Sequence, residues 1–142
     1  MEVRGLEAMY AEAVHFVATL ARNEDGATVV VLSGDLGAGK TTFTQGIARG
    51  LGIEENVTSP TFVLEKIYEL EHQKWLHLIH IDAYRLKDAR ELEVLGWNEI
   101  VFDPSNLIVV EWPEHIATLI PARAIRVTLE GVGDSREVKL YG

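Results

Sequence analysis

Apolar residues recur at helical spacing near the start of the chain. Met9, Ala13, Phe16, Val17 and Leu20 predict an amphipathic helix laid on a core and ending before Asn23 to Gly26. The period then changes. Ala27 to Leu32 is nearly all apolar and rich in β-branched residues (Thr28, Val29, Val30, Val31), the pattern of a central parallel strand buried on both faces. A glycine-rich turn follows, and from Thr41 to Leu51 the positions Phe43, Ile47, Ala48 and Leu51 return to helical spacing, with Gly50 or Gly52 as the stop. The order is strand, loop, helix.

Beyond a Thr58-Ser59-Pro60-Thr61 segment, Phe62 to Leu70 and Trp75 to Ile81 read as two strands of a hairpin, joined through the polar Glu71, His72 and Gln73. Asp88 to Leu95 predicts a short helix closed by Gly96, and Leu107 to Val110 a second fully apolar, buried strand. Arg123 to Leu129 and Glu137 to Tyr141 alternate around Gly131-Val132-Gly133-Asp134, which predicts a terminal antiparallel hairpin. The pattern is therefore α/β: a three-layer sandwich whose mixed, mostly parallel sheet ends in a C-terminal antiparallel hairpin and carries helices on its faces.

Length and composition narrow this further. A chain of 142 residues with 47% hydrophobic and 25% charged positions has material for one well-buried core, so residues 1–142 are read as a single domain. There are no cysteines, which removes disulfides, thiolate metal sites and cysteine nucleophiles together and favours a reducing compartment, the cytoplasm. No apolar run approaches the roughly 18 residues of a membrane span, and the first turns, with Glu2, Glu7 and Glu12, lack a signal-peptide layout. A formal charge of −9 argues against stable autonomous binding of nucleic acid, because non-specific affinity comes from Lys and Arg displacing phosphate counterions.

The chemistry enters at the first strand-to-helix turn. Gly34-Asp35-Leu36-Gly37-Ala38-Gly39-Lys40-Thr41 satisfies G-x-x-x-x-G-K-[ST] between a predicted buried strand and a predicted helix, the context that makes it a P-loop and the fold P-loop NTPase-like. Glycines let successive N–H groups turn inward as an anion-binding nest, and the helix N-terminus adds its partial positive charge. Lys40 then reaches the β- and γ-phosphates, and Thr41 offers its hydroxyl to Mg²⁺. A magnesium–triphosphate site also needs carboxylates at the carboxyl ends of neighbouring strands. Asp82, after Leu78-Ile79-His80-Ile81, and Glu111, after Leu107-Ile108-Val109-Val110, stand at such ends. Taken singly, an acid at a strand end is as readily a turn residue. Thr58 to Thr61 reads either as a turn or as a switch segment sensing the γ-phosphate. His77 and His80, three apart on a strand, point to opposite faces and are read as structural, not as a shared metal site. Trp112 is by default a packing residue.

Four blocks in order resemble the TsaE family of tRNA threonylcarbamoyladenosine biosynthesis ATPases: Gly34 to Thr42, Thr58-Ser59-Pro60-Thr61-Phe62, His80-Ile81-Asp82-Ala83-Tyr84-Arg85-Leu86, and Glu111-Trp112-Pro113-Glu114. The resemblance implies an ATPase that works with two partner proteins, TsaD and TsaB, in placing the threonylcarbamoyl group on adenosine 37 of tRNAs reading ANN codons, its hydrolysis resetting that complex. It further implies that Leu36, Gly37, Ala38, Gly39, Lys40, Thr41 and Thr42 hold the nucleotide and that Asp82 stands in the Walker B-like place. Glu111 becomes a magnesium or water-positioning ligand, Trp112 lies close to the same site, and Arg136 is a C-terminal nucleotide contact. One departure is Ala83, where many relatives carry a larger apolar residue.

Three functional readings follow. The leading one is an ATPase subunit with ATP and Mg²⁺ as cofactors, in which Lys40 neutralises charge on the transferring phosphoryl group while Asp82 or Glu111 orients the attacking water. A small-molecule kinase shares the phosphate site but needs an acceptor pocket and an arginine-bearing lid, and after Thr42 only Arg49, Arg85, Arg90, Arg123, Arg126 and Arg136 are available, scattered. The third is a nucleotide-gated binding module whose hydrolysis is incidental. A GTPase is disfavoured, since no N-K-x-D or T-K-x-D segment is present.

Overall fold

The structure, a computed structural model, describes residues 2–34, 39–53, 65–83, 89–132 and 135–141. In chain order the elements are β1 (Glu2–Arg4), α1 (Gly5–Thr19), β2 (Thr28–Gly34), α2 (Lys40–Gly50), β3 (Glu65–Glu69), β4 (His77–Asp82), α3 (Ala89–Val94), α4 (Trp97–Val101), β5 (Asn106–Glu111), a 3₁₀ segment (Pro113–Leu119), β6 (Ile125–Val132) and β7 (Ser135–Tyr141). The described strands form one seven-stranded sheet in the order β1-β7-β6-β2-β5-β4-β3. Its centre is parallel: β6 with β2, β2 with β5, and β5 with β4. Antiparallel pairs close both sides, β3 on β4 at one edge and β6-β7-β1 at the other.

The apolar run of β2 divides by parity, as a strand buried on both faces must. Val30 and Leu32 join a core with Met9, Phe16 and Val17 of α1, Phe43 and Ile47 of α2, and Leu107 and Val109 of β5. Val29 and Val31 face the opposite way, into a second core with Leu92 of α3, Trp97 and Val101 of α4, Ile108 and Val110 of β5, and Ile116 of the 3₁₀ segment. Helices on both faces of one sheet make the three layers. Each buried Val, Leu or Ile is worth roughly 1.5–3 kcal/mol, so the two faces, not helix propensity, hold β2 and β5 at the centre.

The helices on the first face meet closely. A Cβ on Gly46 would stand 2.5 Å from the Ala13 Cβ and 3.1 Å from the Tyr10 backbone, so glycine at this position lets α2 lie against α1. Three elements fall outside the sequence reading: the 3₁₀ segment Pro113–Leu119, β1 and α4. The three-residue β1 is held by pairing with β7, and α4 restarts a helix at Gly96, which adopts φ 90. Both are too short to register as a period. The predicted strand Phe62 to Leu70 is described only from Glu65 onward.

Candidate functional site

Parallel strands bring their carboxyl ends to one edge of the sheet, and here that edge collects the polar chemistry. Gly34 ends β2, Asp82 ends β4 and Glu111 ends β5. In the sheet register Leu32 lies beside Glu111, and Glu111 beside Asp82. Strand parity fixes the face: Leu78, His80 and Asp82 alternate with Ile79 and Ile81, and Leu78 belongs to the core beneath α1 and α2. Leu107, Val109 and Glu111 follow the same rule on β5. Both acids therefore face the side on which α2 begins.

That helix starts at Lys40, behind Gly39 at φ 103, a left-handed conformation that glycine adopts without strain. Among the described residues no side chain caps the helix start, and an uncapped start is suited to an anion. Phe43 N donates to Gly39 O at 2.8 Å, and the Thr44 hydroxyl to Lys40 O at 3.0 Å. Lys40 is 5% exposed. Its ammonium donates to the Gly34 carbonyl, bridging the two ends of the loop, and lies 3.8 Å from the centroid of the Trp112 ring.

Glu111 is the centre of the cluster and only 3% exposed. Its Oε1 accepts from the Thr41 hydroxyl at 3.4 Å, while its Oε2 is hydrogen-bonded to His80 Nε2. Asp82, 8% exposed, stands on the next strand in register. Directly after Glu111 the chain turns through Trp112 at φ 60, ψ 55, with Trp112 N donating to Leu32 O at 3.3 Å. A left-handed tryptophan stores strain of order 1–3 kcal/mol. Here that turn carries the indole over Lys40.

These groups fit a magnesium-bound polyphosphate. Mg²⁺ takes oxygen ligands and is usually held by one or two carboxylates plus substrate phosphates, not by an all-protein cage. The Thr41 hydroxyl with Glu111 and Asp82 is such a set. Among the described residues no group of three or more His, Cys, Asp and Glu is placed to hold a metal ion. A cavity of about 210 Å³ opens onto Gly39, Lys40, Thr41 and Thr42. A wider recess of about 820 Å³ lies at the other end of α2, but its walls include Glu69 and Glu71, charges that repel a polyphosphate.

The structure thus brings Gly39, Lys40, Thr41, Asp82, Glu111 and Trp112 to one place. Leu36, Gly37, Ala38 and Thr58 to Thr61 lie outside the described residues, as do Tyr84 to Leu86. Arg136 is described in its backbone alone, in β7 opposite Val3 and Gly131. Thr42 lines the small cavity. Ala83 is fully buried, so a larger residue there bears on packing. His80, read as structural, is fully buried, and what sequence reasoning missed is its bond to Glu111. The signal was present, because His80 shares its strand parity with Asp82.

The family model for threonylcarbamoyl adenosine biosynthesis protein TsaE matches residues 8–138. The tRNA threonylcarbamoyladenosine biosynthesis protein TsaE of Treponema pallidum is 41% identical over 116 residues, covering 81% of this chain and 82% of that protein. The protein of the same name from Borreliella burgdorferi is 39% identical over 115 residues, covering 80% and 81%. Among solved structures, the crystal structure of Bacillus subtilis YdiB matches with a TM-score of 0.75 at 32% identity, covering 97% of this chain and 80% of that one.

Proposed function

The chain belongs to the TsaE family, and on that premise we propose that it is a magnesium-dependent ATPase of tRNA threonylcarbamoyladenosine biosynthesis, acting with the TsaD and TsaB proteins. The observation that carries the reading is the Thr41–Glu111 contact at the start of α2, with Asp82 in register beside it. This supports the reading because nucleotide-bound Mg²⁺ is ordinarily held by one or two carboxylates beside the substrate phosphates.

The residues divide the work as follows. Lys40 exchanges the Gly34 carbonyl for the β- and γ-phosphate oxygens and neutralises charge on the transferring group. Thr41 and the carboxylates of Asp82 and Glu111 would hold Mg²⁺, which would supply further charge neutralisation on the phosphates. Glu111 also orients the attacking water, and burial strengthens each of these interactions. Trp112 covers the lysine and limits solvent at the phosphate end. Hydrolysis by the chain alone is slow, and the partners accelerate it. The acidic chain, −9 at neutral pH, reaches tRNA through the complex, in the cytoplasm. Among the described residues no helix is long and apolar enough to cross a membrane.

The test is phosphate release from ATP, with Mg²⁺ or excess chelator, with and without TsaD and TsaB. The reading predicts hydrolysis that needs magnesium and rises with the partners. Stoichiometric phosphoryl transfer to a metabolite, or hydrolysis indifferent to both metal and partners, contradicts it.

A further inference from the structure

His80 is the least exposed polar side chain of the cluster, at 0%, and nothing in the proposed chemistry requires an imidazole. Its Nε2 is bonded to Glu111 Oε2, and its Nδ1 is buried with no hydrogen-bond partner among the described residues. The other oxygen of the same carboxylate, Oε1, faces the Thr41 hydroxyl at 3.4 Å. The carboxylate is thereby split: one oxygen belongs to the imidazole and one to the metal side.

We propose that His80 is a positioning residue that donates Nε2–H to Glu111 Oε2 and so presents Oε1, singly, toward Thr41 and the magnesium site. The inference rests on the magnesium–nucleotide reading of Glu111. Three observations support it. A buried Nδ1 without a partner is tolerable as a bare lone pair and costly as an N–H, which puts the proton on Nε2. A carboxylate that is 3% exposed needs a hydrogen-bond partner, and in the sheet His80 sits diagonally from Glu111, since its own register neighbour is Val109. Finally, Glu111 is followed by the left-handed Trp112, so its backbone is fixed and side-chain rotation is the freedom left for His80 to restrict.

The mechanism predicts a particular pattern of variants. His80→Leu keeps the volume and removes the donor, freeing the carboxylate to turn. His80→Gln places an amide N–H where Nε2 was. Partners that orient metal ligands are worth about 10–100-fold in metal affinity or activity, and that is the expected loss of magnesium affinity in His80→Leu. His80→Gln should recover most of it. Affinity for ATP in chelator, without metal, should match wild type in both.

The experiment combines two measurements on the full chain. Nitrogen NMR of nucleotide-free protein locates the His80 proton: Nε2 protonated supports the proposal, and Nε2 bare overturns it. Magnesium titrations of nucleotide binding by calorimetry then compare wild type, His80→Leu and His80→Gln, with melting curves alongside. Loss in Leu and recovery in Gln supports the proposal; equal magnesium dependence in all three overturns it, as does equal loss in both variants when both melt cooperatively. Should wild type itself show no magnesium-dependent nucleotide binding, the functional reading fails first, and the tautomer result still stands on its own.

Discussion

Lys40 and Trp112 face each other across the mouth of the site, the ammonium 3.8 Å from the indole centroid. They are brought together by opposite routes: Lys40 by the first turn of α2, Trp112 by a left-handed turn at the end of β5. A desolvated cation–π contact contributes about 2 kcal/mol, comparable to the strain of the turn that creates it. Binding of a polyphosphate competes for the same ammonium, so the indole should report occupancy.

Fluorescence follows from that. The chain has three tryptophans, and Trp75 and Trp97 are each 1% exposed in the two cores, away from the lysine. Adding ADP and Mg²⁺ should change the emission of wild type and leave Trp112→Phe unchanged. An equal response in the variant would show that the indole does not sense the phosphates.

Glu111→Gln keeps an oxygen able to accept from His80 and removes the charge. If Glu111 orients the attacking water as well as holding magnesium, kcat at saturating ATP and Mg²⁺ should fall by about 10²–10⁴-fold, beyond a loss of magnesium affinity at least as large as in His80→Leu. Single-turnover hydrolysis with parallel binding titrations checks the split. A proportional loss of affinity and rate would instead make Glu111 a ligand only.

Gly46→Ala tests the helix packing behind the P-loop. The new methyl group would meet Ala13 Cβ at 2.5 Å, a distance that forces α1 and α2 apart. Overpacking of this kind costs about 1–3 kcal/mol, so the melting temperature should drop by several degrees. An unchanged melting curve would mean that the interface has slack.

Asp103 gives a pH effect with a defined sign. Its carboxylate Oδ1 accepts from Ser105 Oγ at 2.7 Å and from Ser105 N at 2.9 Å, and the first of these bonds leads in holding its pKa below the ordinary 3.8. A depressed folded-state pKa adds stability that is present above the ordinary value and lost as pH falls through the folded one. The residue is exposed, so the gain is small. In Ser105→Ala the titration of Asp103, followed by carbon NMR, should move upward; no movement would assign the shift elsewhere.

Much of this site could be read in advance, for reasons that belong to particular residues. Lys40 and Thr41 are announced by local spacing alone, and Asp82 and Glu111 by ending apolar runs that only a central parallel sheet explains. The hairpin partner of β4 was likewise visible, because Ile67 and Tyr68 lie in a β-rich run opposite Leu78 and Ile79. What the sequence concealed depends on contacts between distant residues. His80 meets Glu111 across 31 positions, a relationship no period encodes, although parity with Asp82 pointed to the right face. The left-handed turn at Trp112 runs against the residue's own preference and exists because tertiary contacts impose it. β1 and α4 are shorter than any pattern can register, and α1 begins at Gly5, ahead of the first apolar position that marked it.

The most direct test is calorimetric titration of the chain with ADP in the presence of Mg²⁺, repeated with Lys40→Ala. The account predicts uptake of one nucleotide that weakens sharply in chelator and again without the ammonium of Lys40. Absence of magnesium-dependent binding in wild type, or undiminished binding in Lys40→Ala, would contradict it.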